Sequence, residues 1–391
     1  MLNRPIEQVA SEDLDALITD QVPEGRTLDY KRELPGSDDA SKKEFLADVS
    51  SFANASGGDL LFGITEAGGV PTTVSGLTAP DLDAALRRLD SIIAAGLDPR
   101  ISYRARWIEH ASGAKVVLVR IQESWLAPHL VVFKGEDRFY SRNSAGKYPL
   151  DVSELRDAFL RNATVAERIR TFRTERLVDI AADRTPMPVK SGAKLLLHLL
   201  PLESFSAPQQ LDVLRYYDAT HLMEPMSTRG ANRRITVDGV LTYSSFEGPS
   251  GSYTHLFRTG LMEALDAEVL NHTYEGRHQI PSTSFEDRCL NYTAKYLAIL
   301  QDLGVHPPVY VFITLLGAKG RWLATRKGFD DPIERYPIGQ EVVMLPEVVV
   351  YDYSVPIQPA LRPSLDVVWN ACGYPRSPNF AADGSWAPQR S

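Results

Sequence analysis

The chain has little sulfur. Cys289 and Cys372 are its two cysteines in 391 residues, far apart and without a second thiol at ligand spacing. That excludes a disulfide framework and a thiolate zinc site. The eight histidines are scattered, with no H-x-x-x-H pair, so a bound metal would be held by oxygen, which suits Mg²⁺ or Mn²⁺. Long apolar runs are also missing, and none approaches the roughly 18 residues of a membrane helix. The opening MLNRPIEQVASEDLD is too acidic and polar for a secretory signal. The expected address is cytoplasmic, with no membrane partner. An excess of positive charge is absent too. A formal net charge of −8 argues against a protein that coats duplexes through many phosphate contacts. It leaves room for one that confines its basic residues to a groove.

A phosphate loop is likewise wanting. ASGGDLLFG runs from helix to turn to strand, whereas a phosphate loop runs from strand to turn to helix, with helix amides facing the anion. Ser144 to Lys147 lacks the G-x-x-x-x-G-K-[ST] frame, and Tyr148 stands where Ser or Thr would ligate magnesium. No Walker-type ATP site is expected.

What is present is a globular composition, 43% apolar and 24% charged, long enough for two or three domains. Ser11 opens a short helix carrying Leu14, Leu17 and Ile18. RTLDYKRE, 26–33, alternates like a strand. The S-x-x-E box Ser41–Glu44 predicts a helix over 42–56 with Phe45, Leu46, Val49, Phe52 and Ala53 inward. Gly57-Gly58 ends it, and LLFGI follows as a buried strand. A helix over 80–96 and strands at 101–108, 115–122, 129–133 and 137–142 complete the pattern. The box Asp151–Glu154 opens a helix that continues through an arginine-rich stretch to about 182.

Four parts follow: a mixed α+β domain over 1–165, an arginine-rich helical connector over 166–184, a second α/β-type domain over 185–374, and a flexible tail over 375–391. The second domain shows strand signals at 194–201, 234–243, 309–316 and 341–353 and a helix over 285–303. His198, inside LLLHLL, reads as a core histidine. No repeat of 20–50 residues occurs.

The chemistry-bearing residues cluster early. On a strand, residues two apart share a face, so Asp29 and Lys31 project together while Leu28 and Tyr30 turn to the core. A carboxylate beside a lysine suits phosphodiester chemistry: the acid holds a divalent metal and the ammonium steadies charge on phosphate oxygens. Glu24 reaches the same place if the chain bends at Gly25, and Glu66 is a third carboxylate at the end of the next strand. Spacing alone equally allows a solvated strand face. Arg138 and Arg142 alternate with Tyr140 between them in sequence, Lys147 lies just beyond, and Arg104 and Arg106 repeat the pattern. Such faces suit phosphate contacts and base stacking, though an ordinary outer sheet face looks the same.

The strings EGRTLDYKRELP, VSSFANASGGDLLFGITEAGGVP, RFYSRNSAG and LDVSELRDAF resemble the Schlafen-type AlbA-like domain over about residues 20–165. The resemblance implies a mixed sheet flanked by helices and a nucleic-acid-handling role, with the C-terminal part a candidate divergent second lobe. Members that cleave transfer or ribosomal RNA use three acids around a metal. Carried across, these fall on Glu24, on Asp29 in place of the usual glutamate, and on Glu66. The implied activity is a divalent-metal-dependent endoribonuclease acting on structured RNA such as transfer RNA, in stress response or phage defence. Lys31 would assist, and Arg104, Arg106, Arg138, Arg142 and Lys147 would grip the backbone. The alternatives are a non-catalytic nucleic-acid-binding regulator and an interaction subunit of a defence assembly, its second domain meeting a copy of itself or a protein partner. Convergence of the carboxylates discriminates them: a nuclease needs them gathered, and a binder tolerates them buried against arginines.

Overall fold

The computed structural model describes residues 2, 4, 6–79, 81–124, 126–205, 211–219, 221–227, 231–245, 247–324 and 336–388, with the backbone alone for Glu136, Arg161 and Asn162. It divides into two compact units, residues 1–164 and 165–391. No helix among the described residues is long and apolar enough to cross a membrane.

Unit 1 runs α1 (Ser11–Thr19), β1 (Leu28–Lys31), α2 (Asp39–Ala53), β2 (Gly58–Phe62), β3 (Ile64–Ala67), β4 (Val70–Val74), α3 (Leu82–Gly96), β5 (Leu97–Asp98), β6 (Tyr103–Glu109), β7 (Lys115–Ile121), β8 (Leu130–Phe133), β9 (Glu136–Asn143), β10 (Gly146–Pro149) and the start of α4 (Val152–Ala181). Its main sheet has the order β1-β2-β7-β6, with β1 parallel to β2 and the rest antiparallel. Both faces are covered, which is why LLF reads as an unbroken apolar run. Leu60 and Phe62 join Phe45, Leu46, Val49 and Phe52 of α2. Leu61 turns the other way, to Leu14 and Leu17 of α1. A second sheet, β10-β9-β8-β5, packs on α2 through Val131, Phe133 and Tyr140.

The cap of α2 lies three residues before the expected one. Asp38, not Ser41, stands at the N-cap, its carboxylate accepting from Ser41 N at 2.8 Å. An ionised cap is the better acceptor and also suits the helix dipole. The box at Asp151 forms as its sequence predicts: Asp151 Oδ1 accepts from Glu154 N at 2.9 Å, and Glu154 Oε2 accepts from Asp151 N at 3.0 Å.

Asn54 explains the SFAN string. Its amide accepts from His129 N at 2.7 Å and donates to the carbonyls of His129 and Tyr140 at 3.0 and 2.8 Å, clasping the end of α2 to β9 and to the residue before β8. His129 itself is fully buried, with Nδ1 2.6 Å from the Pro99 carbonyl. Burial pushes its imidazole down to about 4, so the folded side chain stays neutral where the unfolded one takes a proton. Its contribution is complete above about pH 6.5 and is lost as pH falls toward 4, costing unit 1 roughly 3 kcal/mol. Urea denaturation at pH 7.5 and pH 4.5 should show this loss, and His129→Gln should flatten it. An unchanged pH slope in that variant would refute the assignment.

Unit 2 continues with α4 from Val165 and then β11 (Lys194–Pro201), β12 (Asn232–Ile235), β13 (Gly239–Tyr243), β14 (Ser252–Phe257), β15 (Met262–Asp266), β16 (His272–Tyr274), β17 (Arg277–Pro281), α5 (Ser282–Asp302), β18 (Val309–Leu316), β19 (Trp322–Ala324), β20 (Val342–Met344), β21 (Val348–Val350) and α6 (Ile357–Ala371). Its large sheet is antiparallel in the order β12-β13-β14-β15-β11-β18-β20, with β21 also on β18. Helices α5 and α6 cover one face, with Phe285, Leu365 and Trp369 in the core. Leu177 and Ile180 of α4 cover the other.

The arginine-rich stretch is no solvated stripe. Arg176 clamps buried Glu263 with Nε and Nη2, each at 2.9 Å, and His198 Nε2 and Tyr253 Oη approach the same carboxylate at 3.0 and 2.8 Å. Arg173 donates to the Ile313 carbonyl and to Thr314 Oγ1, and Arg170 pairs with Glu347. The side chain of Arg161 lies outside the described residues.

The segment from 375, expected to be a flexible tail, is packed as far as residue 388. Asn379 Nδ2 and Trp386 Nε1 donate to Glu286 Oε2 at 2.7 and 3.2 Å, and Trp369 Nε1 donates to its Oε1 at 2.8 Å. Composition suggested flexibility, but a buried carboxylate needs donors and the segment supplies two of them. Residues 389–391 lie outside the described ones.

Candidate functional site

The alternation of β1 places Leu28 and Tyr30 in the core on the α1 side and turns Asp29 and Lys31 toward α2. The Lys31 ammonium stands 2.9 Å from Asp29 Oδ1 and 3.6 Å from Asp48 Oδ2 on α2. Asp29 is not solvated. It is 4% exposed, and its second oxygen is paired with Arg142 Nη2 from β9. Arg142 also donates through Nε to the Gly25 carbonyl at 3.0 Å and lies with its guanidinium 4.2 Å from the Phe52 ring centre. Lys147 on β10 closes the group, bonded to Asp48 Oδ1 at 2.7 Å and paired with Glu44.

Four carboxylates (Glu24, Asp29, Glu44 and Asp48) thus meet three cations. Burial pushes Asp29 upward, but Arg142 and Lys31 outweigh it and hold the carboxyl below the ordinary aspartate value. Burial lowers the Lys31 ammonium, and Asp48 and Asp29 more than restore it. Burial raises Asp48 against the pull of Lys147 and Lys31. Glu24 is the carboxylate left over. Its Oε1 accepts from Tyr30 N at 2.8 Å, yet burial, reinforced by the charge of Asp29, pushes it up to about 7. A half-buried acid without a cation of its own keeps its proton longest.

Glu66 lies on the exposed end of β3, its Oε2 accepting from Gly69 N at 2.6 Å. Gly68 and Gly69 carry φ of +64° and +79°, so the carboxylate closes a turn only glycines take cheaply. The Gly69 carbonyl accepts from Glu24 N at 2.6 Å, which brings the Glu24 backbone to this turn. Glu66 is committed to the turn amide, and Asp29 to two cations. Among the described residues no three His, Cys, Asp or Glu side chains stand where they could hold a metal ion. A divalent ion does not fit the site as it is built.

The expected backbone-gripping residues disperse. Arg142 is 4% exposed and faces inward, because β9 passes under α2 at that point; a phosphate contact needs an exposed guanidinium. Lys147 is engaged by Asp48 and Glu44. Arg106 donates to the carbonyls of Ile6 and Glu7, and Arg104 pairs at the surface with Glu7 at 2.7 Å. Arg138 is exposed on β9. Arg26 and Arg32, which bracket β1, are exposed as well and have no ion pair among the described residues. Asp48, Glu44 and Asn54 escaped the sequence reading. The available signal was polar Asp48 within the apolar face of α2.

The family model described as Schlafen, AlbA_2 matches residues 24–151. Unit 1 contains a Schlafen AlbA_2 domain. Every member of the ion-pair cluster lies inside this Schlafen AlbA_2 match. Among solved structures, the DIP2311 protein from Corynebacterium diphtheriae is 20% identical over 38% of this chain and 28% of its own, with a TM-score of 0.26. The chain therefore spans under a third of that protein. The N-terminal domain of a putative ATP-dependent DNA helicase RecG-related protein from Nitrosomonas europaea is 23% identical over 35% of this chain and 88% of its own, with a TM-score of 0.27. No curated protein matches the chain.

Proposed function

We propose that this protein binds nucleic acid through its Schlafen AlbA_2 domain and does not cleave it by a divalent-metal mechanism. The observation that carries the second half is the pairing of Asp29 with both Arg142 and Lys31: a carboxylate already neutralised by two cations is a poor ligand for a third. Support for binding comes from the nucleic-acid-handling role that the family resemblance implies. The exposed arginines at 26, 32, 104 and 138 supply donors for phosphate oxygens. Unit 1 carries nineteen Lys and Arg against twenty-five Asp and Glu, so contacts are few and the affinity is modest. Single-stranded or looped RNA, transfer RNA included, is the substrate class that few scattered contacts suit best, because its unpaired bases can also stack.

Fluorescence anisotropy with labelled transfer RNA and a single-stranded DNA of equal length tests this. Binding should persist in EDTA, and the logarithm of affinity should fall with the logarithm of salt with a slope of about −2 to −3, from three or four phosphate contacts. The double variant Arg26→Ala, Arg32→Ala should make that slope shallower by about 1 to 2. Mn²⁺-dependent cleavage by the parent chain that disappears in Asp29→Ala would restore the endoribonuclease reading. Absence of binding to either probe at low salt would remove the nucleic-acid assignment.

A further inference from the structure

The small sheet β16-β17-β19 of unit 2 carries side chains that the fold does not use. Strands β16 and β17 form a hairpin closed by Glu275 and Gly276, whose φ values of +49° and +73° suit the two-residue turn that matches the twist of paired strands. Its root is fixed. Buried Arg321 donates to the Leu270 carbonyl at 2.8 Å and to Asn271 Oδ1 at 3.0 Å, and Asn271 Nδ2 donates to the carbonyls of Ala193 and Ala267. Beyond that root every residue from His272 to His278 is exposed.

Pairing decides which side chains share a face. His272 stands opposite Gln279, Tyr274 opposite Arg277, and Gln279 beside Trp322, so these five lie on one side of the sheet. Ile280 and Leu323 turn to the other side, into the core. The outer face is therefore built of rings and cations. Tyr274 is 55% exposed. The Arg277 guanidinium lies over the Trp322 ring, 5.5 Å from its centre, and has no ion pair among the described residues. Lys319, exposed in the turn that leads into β19, has none among them either. Because β19 runs parallel to β17, that turn lies on the Arg277 side of the pairing. Glu275 is the one acid in the hairpin, so the local charge runs against the chain's net −8.

We propose that this face is a second nucleic-acid contact, where unpaired bases of a single strand stack on Tyr274 and on the Arg277 guanidinium backed by Trp322. An aromatic ring or a flat guanidinium accepts the face of any base. Laid on the indole, Arg277 keeps its N–H edges for phosphate oxygens, and Lys319 adds a second charge. A duplex hides its base faces within the stack, and an acidic peptide would satisfy the cations but leave the rings uncovered. The proposal rests on the nucleic-acid reading above for its ligand class, but it uses no residue of unit 1.

The test is fluorescence anisotropy of the full chain with a short labelled oligouridine and an abasic strand of the same length and charge. The parent should bind the oligouridine roughly tenfold more tightly, the usual worth of one stacked base. Tyr274→Ala should lose most of that preference without a change in melting temperature or in affinity for the abasic strand, and Tyr274→Phe should keep it. The double variant Arg26→Ala, Arg32→Ala should weaken both strands equally and leave their ratio intact. Equal binding of the two strands by the parent, or a preference that survives Tyr274→Ala, overturns this proposal and leaves the unit 1 reading standing. If the arginine variant changes neither affinity while Tyr274→Ala removes the preference, the unit 1 reading falls and this one holds. Should sedimentation show the parent to be a dimer that Tyr274→Ala dissociates, the face is a contact between copies and the proposal is overturned.

Discussion

Asp29→Ala is expected to destabilise unit 1 by about 3–5 kcal/mol, the usual cost of removing one partner from a buried ion pair. The loss arises because Arg142 is left charged and buried, with its remaining strong bond to the Gly25 carbonyl. Lys31 fares better, being one-third exposed and still facing Asp48. A catalytic aspartate predicts the opposite pattern, since active-site carboxylates are held near like charges and their removal commonly leaves stability intact or improved. Urea denaturation in EDTA reads the difference. The double variant Asp29→Ala, Arg142→Met should recover much of the loss, because two apolar groups replace two charges together. Unchanged stability in Asp29→Ala would show that the pair carries no such weight.

In unit 2 the corresponding result is expected from Glu263→Ala. Glu263 is fully buried and accepts from Arg176, His198 and Tyr253 at once. Burial pushes it up, but His198 and Arg176 dominate and hold it far below the ordinary glutamate value. Its removal should cost about 3–5 kcal/mol and free α4 beyond Arg170 from the sheet. Hydrogen exchange localises the effect: amides between Arg170 and Ile180 should lose protection, while those of β2 and β7 in unit 1 keep theirs. Protection lost equally in both units would count against this account.

Much of the local structure was legible because its causes are local. The apolar spacing of Phe45, Val49 and Phe52 marks α2, and the glycines at 57 and 58 mark its end. Asp151 and Glu154 mark the start of α4. Less legible were the places where a turn inside an apolar run, or a pairing partner near or far in sequence, decides. Residues 234–243 look like one strand, but the chain turns between Ile235 and Gly239 and pairs back on itself. EVVMLPEVVV looks like one strand, but Pro346 divides it into β20 and β21, both on β18. The candidate site shows the same limit more sharply. Period two correctly put Asp29 and Lys31 on one face, yet nothing near them announces Arg142, 113 residues later. Without that partner, an acid beside a lysine reads as a metal ligand. With it, the acid reads as half of a salt bridge.

The burial of Glu286 sets an order on events during synthesis. Two of its donors, Asn379 and Trp386, lie beyond the last strand of the large sheet. A ribosome has therefore finished all of unit 1, and every strand that pairs in unit 2, before these side chains exist. Until Asn379 emerges, the Trp369 indole of α6 is the one of these three donors that Glu286 has. Unit 1 is free to fold early in translation, whereas unit 2 must wait until residue 386 has been made.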